Sequence, residues 1–101
     1  MAQKNPLRAL NRLRSRIDRI DKGIIRLLLK RSRAVERIGR LKKQQGIPVV
    51  DSEREREILS RIDTKIDLQK AAGAQREFVR KVYERIFTAS REMERGEHSA
   101  D

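Results

Sequence analysis

Between Leu10 and Leu41 the chain repeats one pattern almost without interruption. Leu10, Leu13, Ile17, Ile20, Ile24, Leu27, Leu28, Val35, Ile38 and Leu41 recur in steps of mostly three and four. That is the α-helical period, so these side chains share one face. Asn5-Pro6 supplies a start, with Asn as the cap and Pro at the first helical position. Gly46-Ile47-Pro48 supplies the stop. The spacing predicts a helix over 6–45, about 60 Å long at ~1.5 Å per residue. A compact domain of about 100 residues has a radius of gyration of only about 13 Å. Such a helix cannot cover its apolar stripe with its own short chain. It needs a partner, and a symmetric homodimer is the commonest solution. Gly23 and Gly39 each cost roughly 1 kcal/mol against Ala inside a helix. They either permit close packing or are tolerated.

Two shorter helices follow. DSEREREI at 51–58 contains an S-x-x-E capping box, Ser52 with Glu55, and leads into Ile58, Leu59, Ile62 and Ile66. This predicts helix 2 over 52–66. Gly73 marks a turn. Helix 3 is expected over 74–95, with Phe78, Val79, Val82, Tyr83, Ile86, Phe87 and Met93 on its inner face. The tail 96–101 is expected to fray. No strand alternation or internal repeat is present, so the chain reads as a single all-α domain over 1–101.

Composition narrows the chemistry. There is no cysteine, and the one histidine, His98, sits in the polar stretch HSAD. A metal site would need a carboxylate cluster, and none is visible in the sequence. No apolar run approaches the ~20 residues of a membrane span, and MAQKNPLRAL lacks the apolar core of a signal peptide. A cytoplasmic protein is expected. Charge is distributed unevenly. Residues 1–45 hold 15 Lys and Arg against three acids, whereas 46–101 hold 11 against 12. A field that positive attracts anions, whether nucleic acid, a membrane surface or a small polyanionic metabolite.

Some charges fall on apolar stripes. Arg31, Val35, Ile38 and Lys42 are linked by steps of four, three and four, and eleven residues make almost three whole turns. Arg31 and Lys42 therefore share an azimuth, which is costly unless an anion pairs them. Arg14 lies about 25 Å from Arg31 along the axis. It could reach the same small ligand only from the second chain of an antiparallel dimer. In helix 2, Asp51, Arg54 and Glu55 extend the Ile58–Leu59 face, while Glu53, Arg56 and Glu57 look outward. In helix 3, Ser90 follows Ile86 by four, and Glu94 follows Ser90 by four. Each set alone is explained by a helix end dipping into water. Together they suggest one pocket for a compact anion.

These residues resemble the all-helical class of chorismate mutase. The landmarks are LRSRIDRIDKGIIRLLLKR at 13–31, RIGRLKKQQGIPVVDSERER at 37–56 and FVRKVYERIFTAS at 78–90. They carry the pattern IDxID…LLxxR…IGxxK…PVxDxxRE. The resemblance implies an intertwined homodimer of three-helix chains that converts chorismate to prephenate, without cofactor, on the route to phenylalanine and tyrosine. It implies that Arg14 (from the partner chain), Arg31 and Arg54 hold the two substrate carboxylates, and that Lys42 reaches the ether oxygen. Glu55 and the backbone near Asp51 would read the ring hydroxyl, and Ser90 would line the pocket. Many relatives carry Gln at the position of Glu94, where it donates a hydrogen bond to the ether oxygen. An ionised carboxylate cannot donate, so Glu94 would have to act protonated, and activity would fall as pH rises. A complex with a larger enzyme of the same pathway is compatible with this reading.

Four alternatives bear on the same residues. An isochorismate pyruvate lyase, or a mutase acting on 4-amino-4-deoxychorismate, would use the same scaffold. The Asp51-Arg54-Glu55 set, suited to a 4-hydroxyl, favours the chorismate mutase. A basic nucleic-acid-binding module would explain the charge, but Phe78, Tyr83 and Phe87 all fall on the helix 3 stripe, leaving no aromatic to stack on bases. A plain coiled coil leaves the inward Arg31 and Lys42 unexplained. Arg8, Arg12, Arg16, Arg19 and Arg26 have no role in any of the enzyme readings.

Overall fold

The computed structural model describes residues 5–96. It contains three helices, α1 (Pro6–Gln45), α2 (Ser52–Leu68) and α3 (Gly73–Arg95), and no strand among the described residues. The all-α expectation holds. Of the tail expected to fray, 97–101 lie outside the described residues, and Gly96 is ordered as the left-handed cap of α3, its N–H donating to the Met93 carbonyl at 3.1 Å. No described helix is long and apolar enough to cross a membrane.

Local chemistry sets the helix ends. Asn5 Oδ1 accepts from the Arg8 N–H at 3.2 Å, capping α1 as its sequence suggests. Gly46 ends α1 in the left-handed region (φ 66), where only glycine is unstrained, and the Ile47 N–H closes on the Lys42 carbonyl at 2.8 Å. The start of α2 corrects the capping-box expectation. The cap is Asp51, whose Oδ1 accepts from the Arg54 N–H at 3.0 Å, and Ser52 is already helical. Asp caps as well as Ser, and its charge also suits the positive end of the helix. The turn after α2 is likewise not made by Gly73, which begins α3. Lys70 takes the left-handed conformation (φ 54), and α2 continues to Leu68, two residues past the expected end.

The chain divides into two compact units, residues 1–33 and 34–101. In the first, all described residues from Pro6 onward belong to α1. Its apolar row from Leu10 to Leu28 is uncovered, each named member being 40–60% exposed. In the second, the end of α1 joins α2 and α3. Val35, Ile62, Ile66 and Phe87 are its buried apolar core, and Tyr83 meets Phe87 edge to face at 6.0 Å. Ile38 and Leu41, expected on the buried stripe, are about half exposed in the single chain.

Gly39 is buried in this second unit because a helix crosses it. A Cβ there would lie 2.7 Å from the Glu94 Cα and carbonyl oxygen, whereas a Cβ at Gly23 would meet nothing within 4 Å. The two glycines thus divide between the two readings their sequence left open.

Charge ties the first turns of α3 to α2. Asp63 accepts from Arg80 at 2.8 Å and Arg76 at 3.1 Å, and Arg76 also reaches Asp67. The hydrogen bond from Arg80, reinforced by Arg76, holds the Asp63 carboxyl below its ordinary range against a smaller desolvation effect. Phe78 lies two residues from both arginines, on the opposite side of α3. It is 67% exposed, and Val82 is 42% exposed, which corrects their placement on the inner face.

Candidate active site

Every group in contact here belongs to the second unit, residues 34–101. The last turn of α1 delivers Lys42 and the loop after it delivers the Val49 carbonyl. Lys42 Nζ donates to that carbonyl at 3.0 Å. On its other side Nζ lies 2.5 Å from Glu94 Oε1, and the two side chains are only 17% and 11% exposed. Glu94 Oε1 is shielded from solvent but accepts no hydrogen bond of good geometry. The short Lys42–Glu94 approach is therefore an ion-pair contact. A half-buried ammonium needs such partners, because desolvating it unpaired costs several kcal/mol.

A second ionic contact lies one turn earlier on α3. Arg91 donates to Glu55 Oε2 at 2.5 Å, with both side chains about a quarter exposed. Between Arg91 and Ile86, Ser90 donates its hydroxyl hydrogen to the Ile86 carbonyl at 2.6 Å. The segment Ser90–Glu94 thus faces the end of α1 through Glu94 and the start of α2 through Arg91.

Of the three charges expected to turn inward on α2, only Glu55 does so. Asp51 is exposed as the helix cap, and Arg54 is half exposed, donating to Glu57 at 3.2 Å. The reason is local: the first turn of α2 precedes its buried residues Ile62 and Ile66, and its charges find partners within three residues. Arg14 is exposed and Arg31 half-buried, both in the first unit.

Two contacts were not foreseen. Arg91 follows the buried Phe87 by four residues, so its position on the α3 stripe was readable from spacing. The Val49 carbonyl was not, since a backbone acceptor leaves no mark in sequence.

The description "Chorismate mutase type II" belongs to the family model that matches residues 13–95. The chain belongs to that family. Among its relatives, the bifunctional chorismate mutase/prephenate dehydratase of Aquifex aeolicus is 47% identical over 53 residues, which is 52% of this chain and 15% of that protein. The T-protein of Haemophilus influenzae is 43% identical over 49 residues, 48% of this chain and 13% of the relative. The chorismate mutase of Methanocaldococcus jannaschii is 40% identical over 53 residues, 52% of this chain and 54% of the relative. The matched stretch spans little more than half of the last protein and far less of the other two. No solved structure matches the chain. Membership in the chorismate mutase type II family agrees with the resemblance carried by the IDxID, LLxxR, IGxxK and PVxDxxRE segments, all of which lie inside the matched range.

Proposed function

We propose that the chain is a chorismate mutase that converts chorismate to prephenate as a cytoplasmic homodimer. The observation that carries this reading is Lys42. It is a shielded cation set between Glu94 and the Val49 carbonyl, at the family's IGxxK position. The rearrangement is unimolecular. One C–O bond breaks as one C–C bond forms, so no nucleophile is needed. The protein has to hold the folded, diaxial conformer and stabilise the negative charge that grows on the ether oxygen.

Each residue then has one task. Arg31 and Arg54 of one chain, with Arg14 of the second, clamp the two carboxylates through planar paired hydrogen bonds. Lys42 donates to the ether oxygen, turning from Val49 and Glu94 toward the substrate. Glu55 and the backbone near Asp51 receive the ring hydroxyl, with Arg91 fixing the Glu55 carboxylate through its other oxygen. Ser90 lines the carboxylate end. Glu94 flanks the ether-oxygen end of the pocket, its Oε1 2.5 Å from Lys42 Nζ. The uncovered apolar row of the first unit supports the dimer.

The test is loss of chorismate absorbance with purified protein, the product being identified by acid conversion to phenylpyruvate. Removing one preorganised electrostatic donor costs about 10²–10³ in kcat, so Lys42→Ala and Arg31→Ala should each lose at least that much. Turnover of isochorismate or of the 4-amino analogue in place of chorismate would transfer the reading to the corresponding sister enzyme.

A further inference from the structure

The proposed reaction leaves most of the charge of the first unit unused. Arg8, Arg12, Arg16, Arg19, Arg26, Lys30 and Arg33 follow one another in steps of four, four, three, seven, four and three. On an ideal helix all seven fall within an arc of about 100°, and all seven are exposed. Asp18 and Asp21, the acids of this unit, fall outside the arc. The arc is centred about 130° from the apolar row, so a partner covering that row leaves the cations accessible. Neither Arg14 nor Arg31 belongs to the set.

We infer that this cationic row is a second binding surface, and that its ligand is the phosphate backbone of duplex nucleic acid. Four features favour that ligand. Six of the seven cations are arginines, whose planar fork matches phosphate oxygens. Asn11 and Ser15 lie beside Arg8, Arg12, Arg16 and Arg19 along one shallow groove, adding the amide and hydroxyl donors that backbone contacts use. The row spans about 38 Å at ~1.5 Å per residue, close to the ~34–36 Å turn of a duplex. Gly23 fills the seven-residue step, and the chain's own packing does not require it, since a Cβ there meets open space. A bare stretch of helix backbone at mid-row lets a phosphate strand approach closely.

Other polyanions fit less well. A bilayer recruits a basic amphipathic helix by burying its apolar face, and in the proposed dimer a second chain covers that face. A single strand is held by stacking on aromatics, and residues 5–33 contain none. The absence of spare aromatics therefore disfavours single strands and leaves duplexes, whose bases are already stacked.

The experiment is fluorescence anisotropy with a labelled random 20-bp duplex, titrated with the intact protein from 50 to 200 mM salt. Binding at micromolar protein at the low end is expected, with a slope of log K against log salt near −4 to −5, corresponding to about five neutralised phosphates. The variant Arg8→Gln/Arg16→Gln/Arg19→Gln/Arg26→Gln should lose at least tenfold in affinity and flatten the slope by about three to four. Gln keeps helix propensity close to that of Arg, and the same four changes to Lys should retain most of the slope. The variant Lys65→Gln/Lys70→Gln/Lys81→Gln/Arg85→Gln removes as much charge from the second unit and should stay within about threefold of the parent. An equal loss in both Gln variants would reduce the effect to net charge and overturn the inference. So would no binding at 50 mM salt, or tighter binding to single strands or to phosphatidylserine vesicles. Chorismate turnover is read separately, so failure here is distinguishable from failure of the mutase reading.

Discussion

The two units of this chain share α1 and its period, yet they use it in opposite ways. From Leu10 to Leu28 the apolar row meets water, and the other side of the helix is a file of cations. From residue 34 onward the same helix contributes Val35 and Gly39 to a small core, and its Lys42 is answered by Glu94 from α3. The second unit is close to electroneutral, whereas the first carries most of the excess positive charge. A periodic pattern states which face will be buried if something arrives to bury it. It does not state whether that partner lies in the same chain. In the second unit it does, and in the first the row stands uncovered in the single chain.

The largest effect should come from placing a charge in the uncovered row. If a second chain covers that row, Ile17→Asp buries an uncompensated carboxylate twice per dimer, at about 3–5 kcal/mol each. Light scattering should then give about twice 11.9 kDa for the parent and a monomer for the variant. A parent already monomeric at micromolar concentration would leave the row exposed in solution and break the comparison at its root. Next comes one substitution made twice. Gly39→Ala drives a methyl against the Glu94 backbone and should cost about 1–3 kcal/mol. Gly23→Ala gains helix propensity and should stabilise by up to about 1 kcal/mol. Thermal melts of the pair should move in opposite directions, and melts moving together would mean the two glycines sit in equivalent surroundings.

Smaller effects test how α2 and α3 are held. Asp51→Ala removes a cap and should cost about 1 kcal/mol, whereas Ser52→Ala should change almost nothing. The reverse order would restore the capping box that the sequence suggested. The Asp63 carboxyl is held below its ordinary range by Arg80 and Arg76. A group lowered on folding adds stability that is present above its unfolded pKa and lost as pH falls through the folded one. The melting difference between the parent and Asp63→Asn should therefore be fullest near neutrality and close in acid below the usual carboxylate range. Asp63 is exposed enough that the gap should be small, and high salt should narrow it.

Much of this was legible in the sequence, and the omissions share a cause. The bounds of α1 follow from Asn5, Pro6 and Gly46, whose signals are local. The start of α2 was misread by one residue because Asp51 and Ser52 are both good caps, and only geometry chooses between them. Lys42 and Glu94 were singled out by spacing alone, and the structure brings them into contact. Asp51 and Arg54 were placed inward by the same rule and are exposed in the single chain, because the first turn of α2 precedes its buried residues. Asp63 with Asp67 and Arg76 with Arg80 are two matched i, i+4 pairs on neighbouring helices, a signal that was present and not used. The split fate of Gly23 and Gly39 depends on where α3 passes, and no single-helix argument contains that.

Gly39 stands one turn before Lys42, and the atoms that crowd it belong to the backbone of Glu94. The missing methyl group therefore acts as a spacer of zero thickness between the two helices that carry the ammonium and the carboxylate. Substituting Ala and then Ser at this position would shim α3 outward while leaving every charged residue unsubstituted. The gap between the two groups could then be tuned mechanically, and the rate of the reaction read as a function of that gap.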